Sequence, residues 1–363
     1  MRQLIVGLAG GYTAGHVMPM IAVAEAWQRS YPEDRVHFYG SGSEIETLLM
    51  DQLRMPLEIL PAAPAFGTTR LGKLKAYGTA IRAGLAGRSS LRDKGVDLMI
   101  SFGGYAAAGA GMAAASLGIP LTVFEANAIP GRTNTLLSRA ARLKIVAMRE
   151  ATSHARWRNA SILGLPRRSG HCPRPENECR HDRRPRLLVT GGTLGSDTLN
   201  QAVPAAIAHL ARNANVVDVV HQSGLGNKET VAAAYRRFGI DATVFDFDLA
   251  IWDRWCWADA VLCTAGAGTL SDAVASGVPT IAVPVVDVAD GHQEANAKAI
   301  AAHDNIAVLH EPELISETIA SRLTALLRAP RTPGPPGSDA AARMVEAVRA
   351  GCVRRKITRT GLS

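Results

Sequence analysis

The sequence predicts an α/β protein built of two similar halves, each a parallel, doubly wound sheet with helices on both faces. Three observations predict it. Short apolar runs alternate with helix-period segments from Leu4 to Leu327, the pattern of βαβ units. Several of these runs end in glycine-bearing turns, among them AGGYTAGHVMP, SFGGY, GGTLGS and TAGAG, where a chain leaving a strand enters a helix. Between the halves, Arg167 to Arg186 reads RRSGHCPRPENECRHDRRPR, with three prolines and almost no apolar residues, and after it the pattern restarts. The predicted division is a first domain over 1–165, a linker over 166–186, a second domain over 187–330 and a Pro/Gly-rich, basic tail over 331–363.

In the first half, Leu4 to Leu8 reads as a strand, followed by the first glycine turn and a helix from about Met20 to Arg29. Arg35 to Gly40 is a second strand; the turn Ser41 to Ser43 then opens a helix with Ile45, Leu48 and Leu49 on one face. Further strands are expected at Leu98 to Phe102, Leu121 to Phe124 and Lys144 to Ala147. Between them, Leu71, Leu74, Tyr77, Ile81 and Leu85 recur at spacings of three and four, flanked by Arg70, Lys73, Lys75, Arg82, Arg88, Arg92 and Lys94. A basic amphipathic helix of this kind can lie on an anionic membrane surface; a core-facing stripe with a solvated basic rim gives the same pattern.

The second half opens with a strand at Leu187 to Val189 and a glycine turn. A helix over Asn200 to Arg212, a strand over Val216 to Val220, a helix through Tyr235 and a strand over Thr243 to Phe247 follow. Residues 258–297 read as strand (Ala260 to Cys263), turn (Thr264 to Gly268), small-residue helix (Thr269 to Ser276), strand, and a polar loop that opens another helix. A strand at Ala307 to Leu309 and a helix at Leu314 to Leu327 complete this half, and a short helix is expected over Ala340 to Arg349. Ligands of open α/β sheets bind at the carboxyl ends of the strands, so the glycine turns of both halves are expected to line an intervening cleft.

With 363 residues, 47% of them apolar, the chain can bury a large core, and its formal charge of +8 favours an anionic partner. Aromatic residues are only 5% and no nucleic-acid-binding signature is present, so nucleic acid is not the expected partner. Cys172, Cys179, Cys256, Cys263 and Cys352 are odd in number and show no framework spacing, which points to a reducing cytoplasm. His171, Cys172, Cys179 and His181 match no zinc spacing and lie in the linker. Met1 and Arg2 run straight into the first expected strand, so no signal peptide is expected, and no run of about 18 apolar residues occurs in the sequence.

Candidate chemistry sits on the turns. His16, after Gly15 and before Pro19, can take a proton from a hydroxyl near neutral pH, or can serve as a cap or phosphate contact. SFGGY (with Gly103, Gly104 and Tyr105) and EANAIPGRTN (with Glu125 and Asn127) supply backbone donors, a carboxylate and amides; these can hold a sugar phosphate or satisfy one another. Arg168 can clamp a diphosphate or stay solvated. Gly191, Gly192 and Thr193 form a phosphate-sized turn, as do residues 264–268, with Asp272 one turn into the following helix. His292, Gln293, Glu294 and Asn296 cluster at a helix start, where they can bond sugar hydroxyls or cap the helix.

Taken together, AGHVMP, SFGGY with SLGIP, FEANAIPGRTN, VTGGTLGS, VHQSG, ADAVLCTAGAGTLSD and DGHQEANA resemble, in order and rough spacing, the MurG-type glycosyltransferases of family 28. The resemblance covers about residues 4–328. It implies the GT-B fold, two Rossmann-like parallel-sheet domains facing a central cleft. It also implies transfer of N-acetylglucosamine from UDP-N-acetylglucosamine to lipid I, with inversion, giving the peptidoglycan precursor lipid II. The implied location is peripheral, at the cytoplasmic side of the cell membrane.

By that resemblance His16 is the base or an acceptor-side histidine, and Thr13, Gly15, Gly103, Gly104, Tyr105, Glu125 and Asn127 are acceptor-side. Arg168 and Thr193 fall at the diphosphate, the backbone near Asp248 at the uracil and Ala267, Gly268 and Thr269 over the donor phosphates. Asp272 falls at the ribose, and His292 and Gln293 at the donor sugar. Leu71, Lys73, Leu74, Lys75, Tyr77, Ile81 and Arg82 match the membrane-docking region. No metal and no cofactor is implied, because fixed dipoles and a guanidinium can balance a departing diphosphate.

The chain departs from the family pattern at Tyr12, Ala14, Ala108 and Ala110, where glycines are usual, and at Leu165, which replaces an asparagine. Asp272 replaces a glutamate, Thr193 a serine and Asp248 an apolar residue. Three other readings share these motifs: a GT-B transferase with another lipid or natural-product acceptor, a UDP-sugar 2-epimerase, and a non-catalytic donor-binding scaffold.

Overall fold

The computed structural model describes residues 2–11, 13–62, 70–168, 183–212, 216–286, 291–332 and 339–360, with side chains except at 70–77, 80 and 352–360. The chain divides into two compact units, one of Met1–Ser169 with Asp339–Ser363 and one of Gly170–Ser338.

Unit 1 begins with β1 (Ile5–Gly10), α1 (Ala14–Ser30), β2 (Arg35–Gly40), α2 (Glu44–Gln52), β3 (Leu57–Ile59) and α3 (Arg70–Asp93). It continues through β4 (Leu98–Gly103), α4 (Ala106–Ser116), β5 (Leu121–Glu125), α5 (Arg132–Leu137), β6 (Leu143–Val146) and β7 (Ser161–Ile162). Its sheet is parallel in the order β3-β2-β1-β4-β5-β6-β7.

Unit 2 runs β8 (Arg186–Thr190), α6 (Asp197–Arg212), β9 (Asp218–Gln222), α7 (Lys228–Arg237), β10 (Ala242–Phe245) and α8 (Ile251–Trp257). It then adds β11 (Ala260–Thr264), α9 (Ala267–Ser276), β12 (Thr280–Val283), α10 (His292–Ile300), β13 (Ile306–Val308) and α11 (Ser316–Arg328). Its parallel order is β10-β9-β8-β11-β12-β13. The expected fold class, two Rossmann-like parallel sheets, is the one observed.

Because helices cover both faces of each sheet, the central strands are buried along their whole length. Every residue of β4 and of β11 is buried, which is why they read as continuous apolar runs rather than alternating ones. In both sheets the strand order reverses at the first strand of the unit, between β1 and β4 and between β8 and β11. Such a switch point parts the loops above the strand ends and makes room for a ligand.

Several helix boundaries differ from the sequence expectation. Helix α1 starts at Ala14, with Pro19 inside it, so His16 lies in its first turn and not on the glycine turn before it. A proline without its N–H was expected to mark the boundary; here it lies within two turns of the N-terminus, where it cannot donate to the Gly15 carbonyl four residues back. Helix α9 likewise takes in Ala267 and Gly268 and ends at Gly277, whose φ of +63° is the left-handed cap that glycine suits.

The last helix, α12 (Ala340–Thr360), is much longer than expected and belongs to unit 1. Its Arg349 pairs with buried Asp34 and lies 3.7 Å from the centroid of the Tyr31 ring. Asp34 also accepts from Leu4 N and Trp27 Nε1, each at 2.9 Å. Before this helix, the Arg331 guanidinium reaches the carbonyls of Trp255, Cys256 and Ala258 at 3.1, 2.8 and 2.8 Å, closing the C-terminus of α8. Residues 171–181, which hold the imagined His/Cys cluster, lie outside the described residues. Cys263 is a buried free thiol. Cys256 is disulfide-bonded, a departure from the pattern expected of the cysteine spacing, because pairing depends on proximity in the fold.

Candidate active site

In unit 1 the chain leaving β1 caps α1 with Thr13, whose carbonyl accepts from the N–H groups of His16 and Val17 at 3.1 and 3.2 Å. The Thr13 hydroxyl oxygen lies 3.1 Å from His16 Nδ1. On the other side of the switch point, β4 ends at Gly103 and Gly104 follows it, with φ of +93° and +74°. These are left-handed conformations that a side chain resists. There is also no space for one: a Cβ on Gly103 would sit 2.8 Å from Asn134 Nδ2 and 3.2 Å from His16 Cδ2, and one on Gly104 would sit 2.7 Å from the Gly11 carbonyl. The SFGGY turn is therefore the wall against which the imidazole rests. When Nδ1–H donates to Thr13, Nε2 carries the basic lone pair of the ring.

Glu125, at the end of β5, is 2% exposed. Its Oε1 accepts from Asn127 N and Nδ2 at 3.0 and 3.1 Å; its Oε2 accepts from Gly131 N and Asn134 Nδ2, both at 2.9 Å. Four donors fill the carboxylate, so this side chain folds the 126–134 loop, the self-satisfying alternative weighed above. Asn134, absent from the expected site residues, joins that loop to the neighbouring strands. It donates to the Phe124 carbonyl at 2.9 Å and accepts from Ser101 Oγ at 3.4 Å.

Glu46 does similar work beyond the end of β2, on the other side of β1. Its carboxylate accepts from Ser41 N, Ser41 Oγ and Gly42 N at 2.7, 2.6 and 2.8 Å and fills the space a Cβ on Gly11 or Gly40 would need. The spacing Ser43-x-x-Glu46 is the sequence signal for it. Arg168 belongs to unit 1, where Nε and a terminal nitrogen both lie 2.9 Å from Glu25 Oε1 of α1.

Helix α3 presents Ala83 and Gly87 to α4, where a Cβ on Gly109 would lie 2.7 Å from Ala83 Cβ and one on Gly87 would lie 3.1 Å from Ala113 Cβ. The opposite face exposes Ile81 (65%) and Leu85 (63%), with Arg82 exposed beside them. The side chains of Leu71, Lys73, Leu74, Lys75 and Tyr77 lie outside those described.

In unit 2, Gly192 N donates to Thr190 Oγ1 at 3.1 Å, and Gln222 Nε2 donates to the Gly192 carbonyl at 2.9 Å. The turn carrying Thr193 is thereby tied to the ends of β8 and β9. It is also packed against the HQSG turn: a Cβ on Gly195 would be 2.1 Å from the Ser223 carbonyl, and one on Gly224 would be 2.2 Å from Gly195 N. Behind these turns, fully buried His221 places Nε2 3.1 Å from Asn200 Oδ1 and Nδ1 3.0 Å from the Tyr235 hydroxyl, while Asn200 Nδ2 donates to the Ser223 carbonyl at 3.0 Å. An amide oxygen only accepts, so Nε2 carries the proton. Burial holds the imidazole neutral, with its pKa lowered to about 3.

Across the second switch point, α9 begins at Ala267 after Gly266, with no side-chain cap. Its first intrahelical N–H is that of Leu270, bonded to the Gly266 carbonyl at 2.9 Å. The preceding N–H groups, of Ala267, Gly268 and Thr269, form an end suited to an anion. A Cβ on Gly268 would meet nothing within 4 Å, so the space in front is open. Asp272 lies near enough to buried Cys263 that its charge, after burial itself, raises the thiol's pKa.

Gln293 closes this edge. Its Oε1 accepts from Ala265 N and Val285 N, both at 3.1 Å, which ties the ends of β11 and β12 together. Two N–H donors can face only the oxygen, so the amide's NH₂ group is left to serve as donor. Asn296, fully buried, donates to the Ala265 carbonyl at 3.3 Å. His292 Nδ1 is buried and without a hydrogen-bond partner. Asp248 accepts from Ala250 N at 2.8 Å and stands 3.6 Å from Arg254 Nε, which makes its side chain the start signal of α8.

Apart from Arg168, held by Glu25 of α1, and the α3 residues, the expected residues fall into two groups, one above β1, β4 and β5 in unit 1 and one above β8, β10, β11 and β12 in unit 2. Gln222, Asn200, His221 and Asn134 were missed as supports. The motifs HQSG and EANAIPGRTN pointed near three of them, but a buried support has no local signature.

Two family models match the chain: the glycosyltransferase family 28 N-terminal domain over residues 5–145 and the family 28 C-terminal domain over residues 186–349. A protein of Anaeromyxobacter sp. (strain Fw109-5) is 34% identical over 98% of this chain and 94% of its own. One of Cellvibrio japonicus (strain Ueda107) is 32% identical over 90% of each. Both are named UDP-N-acetylglucosamine–N-acetylmuramyl-(pentapeptide) pyrophosphoryl-undecaprenol N-acetylglucosamine transferase. Among solved structures, Acinetobacter baumannii MurG is similar with a TM-score of 0.71 and 25% identity, covering 96% of this chain and all of that one. The UDP-GlcNAc 2-epimerase of Neisseria meningitidis, at 11% identity and a TM-score of 0.62 over 96% of this chain and all of that one, shares the fold.

Proposed function

The chain belongs to glycosyltransferase family 28, and we propose that its two groups of loop residues divide the reaction between them, unit 2 holding the donor and unit 1 the acceptor. It is a UDP-N-acetylglucosamine-dependent N-acetylglucosamine transferase of peptidoglycan synthesis, which adds the sugar to the lipid-linked N-acetylmuramyl-pentapeptide and so converts lipid I to lipid II. The observation that carries the donor assignment is the uncapped first turn of α9, open in front of Gly268 and beside the Gly191–Thr193 turn.

In this reading the N–H groups of Ala267, Gly268 and Thr269, with Thr193, hold the diphosphate. Asp272 accepts from the ribose, the backbone near Asp248 reads the uracil, and His292 with the Gln293 NH₂ donates to the sugar hydroxyls. His16, backed by Thr13 and lying against Gly103 and Gly104, takes the proton as the acceptor 4-hydroxyl attacks C1. UDP departs from the opposite face, so the anomeric centre inverts. Tyr105, Gly15 and Asn127 border the acceptor side, and Glu125 acts through the loop it folds.

Among the described residues no helix is long and apolar enough to cross a membrane. The exposed Ile81–Arg82–Leu85 face of α3 supports peripheral docking to an anionic bilayer, at the cytoplasmic side where the nucleotide sugar is made.

Incubation with radiolabelled UDP-N-acetylglucosamine and lipid I tests the reading. Label in the lipid fraction is expected. An epimerised free nucleotide sugar, or binding without turnover, would contradict it.

A further inference from the structure

Strand β11 is buried from end to end, and its residues Ala260 to Cys263 are all apolar or small. Its last residue, Thr264, is only 4% exposed, yet the hydroxyl makes no hydrogen bond among the described residues. A buried hydroxyl is ordinarily paired. Valine, equally β-branched, would suit the end of a strand without one.

Register sets where this hydroxyl stands. Cys263 pairs with Thr190 of β8, so Thr264 lies one residue further on, level with the start of the Gly191–Thr193 turn. Two residues later α9 begins at Ala267, without a side-chain cap. The hydroxyl oxygen faces the turn of β8: apart from its own chain neighbours, a Cβ on Gly192 would meet only Thr264 Oγ1, at 4.0 Å. That turn is held in place, because Gly192 N donates to Thr190 Oγ1 at 3.1 Å and the Gly192 carbonyl accepts from Gln222 Nε2 at 2.9 Å. At the switch point of unit 2, a buried hydroxyl thus lies between two backbone ends that suit an anion.

We propose that Thr264 is a further contact of the donor: its hydroxyl donates to a phosphoryl oxygen of the uridine diphosphate, between the Gly191–Thr193 turn and the first turn of α9. This inference rests on the donor assignment given above, and adds to it a side chain that comes from the end of a strand. A phosphoryl oxygen only accepts, so the hydroxyl pairs with it in one sense alone. At so buried a position a charge-assisted bond is stronger than at the surface.

Calorimetric titration of the full-length protein with UDP and, by displacement, with uridine tests this, alongside thermal melting of the free protein. Thr264→Val keeps the branched shape and removes the hydroxyl. The Kd of UDP should rise about tenfold, as for one lost hydrogen bond to a charged group, while that of uridine changes by less than about twofold. The Tm of the free protein should not fall, because the hydroxyl pairs with no described residue. Thr264→Ser keeps the hydroxyl and should bind UDP within about threefold of wild type. If the valine variant does not fold, Thr264→Ala read against Thr264→Ser removes the same hydroxyl, and the same roughly tenfold difference in UDP binding is expected. A valine variant that binds UDP as the wild type does, or that weakens UDP and uridine equally while Tm drops, would overturn the proposal. If the wild type binds uridine as tightly as UDP, the diphosphate assignment fails and the role of Thr264 fails with it. If the wild type prefers UDP and the variants match it, only the role of Thr264 fails.

Discussion

His16 Nδ1 lies 3.1 Å from the Thr13 hydroxyl oxygen, three residues back on the same helix start. The contact fixes the rotation of the ring, and the hydroxyl can accept from Nδ1–H, which leaves the lone pair on Nε2, or donate to Nδ1, which leaves the proton there. In the base role proposed for His16 the reacting nitrogen must be unprotonated, and the hydroxyl would then serve as the acceptor for Nδ1–H without touching the substrate.

Thr13→Val keeps the shape of the cap and removes the hydroxyl. We expect kcat to fall roughly 5- to 30-fold, in line with losing one hydrogen bond to the reacting group, with the donor KM unchanged. Steady-state kinetics with both substrates saturating checks this; a raised donor KM at constant kcat would contradict it.

Gly268→Asp places a carboxylate in the open space before the first turn of α9. Aspartate is a favourable residue in a first helical turn, so the fold should tolerate it. The same charge opposes a bound diphosphate, and the Kd of UDP should rise at least about tenfold while Tm stays within a few degrees. Titration calorimetry and thermal melting read both; UDP binding at wild-type strength would move the diphosphate away from α9.

His221 is buried neutral, its pKa lowered to about 3 from 6.5. A depressed folded pKa means that the unfolded chain takes up the proton first. The contribution is therefore fully present above about pH 6.5 and lost as pH falls toward 3. Between these limits the slope is about 1.4 kcal/mol per pH unit. In urea unfolding of unit 2 between pH 6.5 and 4.5, His221→Gln should lose less stability than wild type, by about that slope. Parallel pH profiles would contradict the buried neutral ring.

Ile81 and Leu85 lie one helical turn apart on the solvent face of α3. If that face enters a bilayer interface, each side chain contributes on the order of 1.5 to 3 kcal/mol on full burial. Replacing both with glutamate should lower sedimentation with anionic liposomes at least about tenfold. Unchanged sedimentation would leave α3 a plain surface helix.

What the sequence made legible follows from how local its signals are. Both sheets could be read because the central strands are short, mostly apolar runs, and several end in a turn whose glycines have a steric reason, as at Gly103 and Gly104. The start of α1 was misplaced because Gly15 and Pro19 imitate a boundary while sitting inside the helix. Strand β3, of three residues, is too short for a period to show.

The supports stayed hidden for another reason. The contacts Glu311–Val286, Gln222–Gly192 and Arg349–Asp34 join residues 25, 30 and 315 positions apart, and no local pattern records such a distance. Glu125 shows the limit most plainly. Its motif marked it as a site residue, and only its four N–H donors reveal that it folds the loop.

The proposed reaction moves N-acetylglucosamine to the lipid-linked acceptor with His16 as the base. The single-turnover rate at which radiolabel moves from UDP-N-acetylglucosamine to lipid I, for wild type and His16→Ala at saturating donor, tests it most directly. Transfer by the wild type and a loss of roughly 10² to 10⁴ in rate for the variant, with donor Kd unchanged, are expected. A wild type that puts no label into lipid, or a His16→Ala enzyme that transfers at the full rate, would contradict it.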